Sequence, residues 1–128
     1  MTGRGILDTS VLIADDITPI PGELAISVVS LAELQFGVLV AKNPQAQGLR
    51  LARLSRIQRR FEALPVDDVV ADSYATLAAA VGQTGRQPRA RVMDLLIAAT
   101  AHVHDASLYT RNPDDLSGIE HLVNVVTL

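Results

Sequence analysis

The sequence predicts an α/β fold: a single domain over residues 1–128, with a central parallel sheet and helices on both faces. Three observations carry this. Short β-branched runs alternate with longer segments rich in Ala, Leu and Arg, the order that covers a parallel sheet with helices. The chain has 128 residues, one core's worth. Apolar residues make up 48%, enough to fill that core.

Taken in order, Arg4–Leu7 reads as the first strand, and Asp8-Thr9-Ser10 opens a helical turn through Ala14. Thr18–Glu23, with its two prolines and a glycine, is a loop. Leu24–Val29 is β-rich and forms the second strand. A helix runs from Ser30 to about Ala41, where Lys42-Asn43-Pro44 stops it. Gln45–Leu64 is a long helix, with Leu54, Ile57, Phe61 and Leu64 on one stripe and Arg50, Arg53, Arg56, Arg59 and Arg60 around the rest. Pro65-Val66 is a brief extended link. Asp67 and Asp68 start a helix through about Val81, and Gly82–Arg91 is a loop by its Gly and Pro content. Val92–His104 is a helix, Ser107–Thr110 a strand, Asn112-Pro113 a turn and Val123–Leu128 the last strand.

Composition narrows the chemistry. No cysteine is present, which removes disulfides, a thiol nucleophile and Cys-ligated metals. No apolar run reaches the roughly 18 residues of a membrane span, and the N-terminal stretch lacks a signal-peptide pattern, so a cytoplasmic location is expected. The net charge of −3 argues against a large non-specific nucleic-acid footprint. Four aromatic rings are too few for a base-stacking platform. A mean hydropathy of +0.26 leaves apolar surface for a partner.

Ligands of open parallel sheets sit at the carboxyl ends of the strands. Asp8 follows the first strand, Glu33 lies in the helix after the second, Asp94 opens the helix leading into the third, and Asp115 follows that strand. Each acid has a purely structural role open to it. Asp8 is placed as an N-cap. Ser30-Leu31-Ala32-Glu33 has the form of a capping box. Asp94 suits the first turn of its helix. Asp115 is placed to cap a turn, with Asp114 the solvated one of the pair. As a set the four acids point elsewhere, because caps are interchangeable among Ser, Thr, Asn and Asp, yet an acid stands at each junction. Two carboxylates ~4 Å apart repel by ~4 kcal/mol at an effective dielectric of 20. Such a cluster needs raised pKa values or a cation, and an all-oxygen set selects Mg²⁺ or Mn²⁺.

Other chemistries fit less well. His102 follows Asp94 by eight residues, about 12 Å along a helix, too far to serve the same rim. His102 and His104 do not share a helix face. There is no glycine-rich nucleotide loop. The only lysine, Lys42, is misplaced for a receiver domain, and Asp8 lacks the second Asp two residues on that a haloacid-dehalogenase phosphatase needs.

The chain resembles the PIN-domain ribonucleases and, within them, the VapC toxins of bacterial toxin–antitoxin pairs. The resemblance rests on four segments in order: ILDTSVLIA (Ile6–Ala14), ISVVSLAELQFGV (Ile26–Val38), RVMDLLIAATA (Arg91–Ala101) and LYTRNPDDL (Leu108–Leu116). Leu116 stands where a Phe is common, and Asp114 adds an acid beside Asp115. The resemblance implies that Asp8, Glu33, Asp94 and Asp115 form a catalytic set, with Asp8 and Asp94 as the principal ligands of Mg²⁺ or Mn²⁺. It implies RNA as substrate and a cognate VapB-like antitoxin, and the excess of apolar residues leads us to expect a homodimer. Thr9, Ser10 and Asn112 are candidates to hydrogen-bond the ligands. Arg86, Arg89 and Arg91, in the loop before Asp94, are expected to meet RNA. The arginines of the long helix are read chiefly as a solvated face.

Overall fold

The computed structural model describes residues 3–128. Five strands form one sheet: β1 (Arg4–Leu7), β2 (Glu23–Ser27), β3 (Ala63–Leu64), β4 (Ser107–Thr110) and β5 (Val125–Thr127). Their order is β3-β2-β1-β4-β5, and every neighbouring pair is parallel. The helices are α1 (Thr9–Leu12), α2 (Val28–Leu39), α3 (Pro44–Arg60), α4 (Asp68–Gln83) and α5 (Val92–Val103). Short 3-10 turns cover Pro88–Arg91 and Pro113–Leu116. Among the described residues no helix is long and apolar enough to cross a membrane.

Strand alternation divides the core between the two faces. Ile6 and Leu108 point to the face where α4 and α5 pack, joining Val70, Leu77, Leu95 and Ile97. Leu7 and Ile26 point the other way, to Leu34 and Val38 of α2 and Leu54 and Ile57 of α3. Gly5 has no room for a side chain: a Cβ there would lie 2.6 Å from Tyr109 Cε2 and 2.9 Å from Leu24 Cδ2.

The chain moves outward from β1 through β2 to β3, then returns to place β4 on the other side of β1. The carboxyl ends of β1 and β4 therefore flank the point where strand order reverses, the usual crevice of such sheets.

Several local expectations change. The strand at 24–29 ends earlier, because Ser27 caps α2 by accepting the Val29 N–H at 3.0 Å. Ser30 is thus inside the helix, and the capping box with Glu33 does not form. The long helix stops at Arg60: Phe61 is extended, and Ala63–Leu64 pairs with Ile26 and Ser27 as an edge strand. Asn43 caps this helix through the Ala46 N–H. The expected loop at 82–91 is partly ordered, since α4 continues to Gln83 and Pro88–Arg91 forms a 3-10 turn.

Candidate active site

Asp8 follows β1, and its backbone N–H donates to the Tyr109 carbonyl of β4 at 2.9 Å. Its backbone starts α1, but its carboxylate does not cap that helix. Instead Oδ2 accepts two hydroxyls, Ser10 Oγ at 2.7 Å and Thr110 Oγ1 at 2.9 Å. Each hydroxyl is oriented from behind. The Arg111 N–H donates to Ser10 Oγ and the Asn112 N–H to Thr110 Oγ1, both at 3.0 Å. With an N–H on each oxygen, each hydroxyl hydrogen is directed at Asp8. Both bonds fall on Oδ2, so Oδ1 is left for another partner. Asp8 is 8% exposed and Thr110 fully buried.

Glu33 projects from α2 toward α1, where Thr9 Oγ1 donates to Oε1 at 2.7 Å. Thr9 Oγ1 also lies 2.9 Å from Ser30 Oγ. A hydroxyl has one hydrogen, so with Thr9 committed to Glu33, Ser30 supplies the second bond as donor. Asp115 sits in the Pro113–Leu116 turn and pairs with Arg91, Nη1 to Oδ1 3.1 Å. Its neighbour Asp114 is exposed, and only its carbonyl is used, accepting Arg86 Nη1 at 2.8 Å. Leu116 is buried in the core behind them.

Asp94, in the first turn of α5, shows that these acids share one space. Its carboxyl is pushed up to about 6, first by burial, then by Asp8, Asp115 and Glu33 in that order, while Arg91 opposes the rise. Asp8, Asp115 and Glu33, the other acids named from the sequence, therefore lie near enough to Asp94 for their charges to act on it. Among the described residues, no three His, Cys, Asp or Glu side chains are closed up as a finished metal cage. The crevice is instead an open cluster with one oriented carboxylate, Asp8, and one raised carboxyl, Asp94.

Of the expected hydrogen-bonders, Thr9 and Ser10 act through their side chains and Asn112 through its backbone N–H. Thr110 was not singled out in the sequence, because its partner is 102 residues away. Its only local signal is a polar residue at the last, inward position of a buried strand. His102 takes no part: its Nδ1 is 2.7 Å from Ser73 Oγ of α4.

The PIN domain profile matches residues 6–121. Ribonuclease VapC5 of Mycobacterium tuberculosis is 39% identical over 127 residues, covering 94% of this chain and 91% of that protein. Ribonuclease VapC4 of the same organism is 34% identical over 117 residues, covering 87% and 88%. The crystal structure of the toxin–antitoxin family member VapBC-5 from M. tuberculosis superposes with a TM-score of 0.84 at 38% identity, over 98% of this chain and 97% of that one. With four acids at the strand ends of this parallel sheet, the chain belongs to the PIN-domain family, in its VapC branch.

Proposed function

We propose that this chain is a divalent-metal-dependent endoribonuclease, a cytoplasmic toxin restrained by a cognate antitoxin. The observation that carries the reading is the convergence of Asp8, Glu33, Asp94 and Asp115 on one crevice, with the Asp94 carboxyl pushed up to about 6. Such repulsion is relieved by a cation. The donor set fits Mg²⁺ or Mn²⁺: all oxygen, with one or two carboxylates sufficing for an ion that keeps its waters. Asp8, through Oδ1, and Asp94 would hold it. Such an ion would supply a water of lowered pKa and positive charge to offset that of the phosphodiester.

The residues of the chain do the rest. Ser10 and Thr110 fix the rotation of the Asp8 carboxylate through their two hydrogen bonds to Oδ2. Thr9 holds Glu33, and Arg91 holds Asp115, so that either carboxylate can accept a proton from the attacking water. Attack at phosphorus with departure of the 3′ oxygen leaves a 5′-phosphate and a 3′-hydroxyl. Arg91 also has N–H groups left over for the incoming strand, and Arg86 and Arg89 stand nearby in sequence.

The antitoxin reading draws on exposed apolar side chains. Phe36 and Leu39 of α2 and Leu49 of α3 are 65%, 76% and 69% exposed. An amphipathic helix would cover them, and an Arg on it could pair with the acids in place of the ion. Val66, Val69 and Met93 are exposed elsewhere, which supports a second copy of the chain as a further partner.

The test is cleavage of RNA by the purified chain with Mg²⁺ or Mn²⁺, with the product ends identified. Cleavage to 5′-phosphate ends, stopped by EDTA and by Asp8→Asn, is expected. Undiminished cleavage in EDTA would overturn the reading.

A further inference from the structure

Thr9 and Glu33 also line a cavity of about 430 Å³. Its remaining walls are Ile13, Leu34 and Gly37, with Arg50 and Arg53 of α3. The two guanidiniums are not consumed by the protein. Arg50 donates one Nη1 bond to the Gly37 carbonyl at 2.7 Å and, among the described residues, enters no salt bridge. Arg53 has its Nε buried with no acceptor among the described residues. Glu33 lines the same cavity, but its Oε1 accepts from Thr9, and neither arginine pairs with it.

A buried guanidinium N–H without an acceptor is disfavoured, and the planar fork of Arg matches phosphate oxygens. Gly37 is a mid-helix glycine, a poor helix former, and its missing side chain leaves one wall of the cavity open. These arginines belong to the face that the sequence presents chiefly as solvated; the structure sets two of them in the wall of a cavity that Glu33 also lines.

We propose that this cavity is a subsite for RNA, in which Arg50 and Arg53 hold a phosphate flanking the scissile bond and Ile13 and Leu34 receive the adjoining nucleoside. This rests on the ribonuclease reading and adds to it where the strand runs. RNA is favoured over a protein occupant because two cations meet beside a site that must take a polyanion. A strand held at the acids then carries its next charge toward the arginines.

The experiment compares a dinucleotide, whose only phosphate is the scissile one, with an oligoribonucleotide of about six residues in wild type, Arg53→Gln and Arg53→Lys. The readout is the ratio of kcat/KM for the long substrate to that for the short one. Arg53→Gln should lower this ratio about tenfold, chiefly through KM, with Arg53→Lys in between. The slope of log KM against log salt should become shallower by about 0.7, the share of one phosphate on a single strand. A folding defect would depress both substrates together, leave the ratio unchanged and overturn the subsite. So would an unchanged ratio and salt slope in a variant that loses affinity for an antitoxin instead, which would make the cavity a protein groove. If wild type cleaves neither substrate, the ribonuclease reading itself falls.

Discussion

Asp94→Asn should make the metal-free protein more stable while it ends cleavage. The carboxyl is held near 6 against an ordinary 3.8, by burial and by Asp8, Asp115 and Glu33. Between those pH values it is protonated when folded and ionised when unfolded, so folding stability from this group falls as pH rises from about 4 to 6. Above 6 the cost is constant. Tenfold in proton affinity is about 1.4 kcal/mol, which puts a ceiling near 3 kcal/mol on that cost. The group is only half-buried and solvent screens the repulsion, leaving about 1 kcal/mol. Asn has the same shape without the charge, so at pH 7.5 in EDTA the variant should melt about 4 °C higher. At pH 3.5, where Asp94 is largely protonated in both states, the gain should nearly vanish. Paired thermal melts of variant and wild type at the two pH values measure it. A variant of equal or lower stability at pH 7.5 would refute the claim that the acids crowd one another.

Three further outcomes follow from the geometry. Thr110→Val removes a buried donor to Asp8 and strands the Asn112 N–H; it should cost about 2 kcal/mol in denaturant unfolding and raise the metal concentration needed for half-maximal cleavage, with Thr110→Ser restoring both. Glu33→Gln keeps an acceptor for Thr9 but removes a charge, so single-turnover cleavage should fall by at least tenfold while melting temperature holds or rises; retained activity would leave Glu33 a structural group. Gly5→Ala drives a methyl into Tyr109 and Leu24 and should destabilise by about 1–3 kcal/mol, whereas cleavage per folded molecule, read at low temperature, should be preserved.

What could be read from the sequence were the features with a period or a junction. β1 and β4 stand out as short apolar-rich runs, and the acids after them mark the strand ends. β3 could not be read, because two residues have no alternation and Ala63-Leu64 continues the apolar stripe of α3. The start of α2 was misplaced because Val28 and Val29 favour strands, whereas the Ser27 side chain bonded to the Val29 N–H decides where the helix begins. That shift of three residues freed Glu33 from a cap and turned it to Thr9. The clamp on Asp8 is a long-range object: Thr110 meets it only once β4 returns to the far side of β1. The inward turn of Arg53 was equally hidden, since a helical wheel gives a direction but not what stands opposite.

The central claim is that Asp8 and Asp94 hold a divalent ion, and calorimetric titration of Mn²⁺ into the RNA-free protein tests it most directly. At pH 6 the Asp94 carboxyl is about half protonated, and binding requires the ionised form. The heat measured in buffers of different ionisation enthalpy should therefore show release of about half a proton at pH 6 and close to none at pH 8. One ion should bind per chain, and Asp8→Asn should abolish binding. Absence of binding to the wild-type chain at pH 8, or undiminished binding to Asp8→Asn, would contradict the assignment.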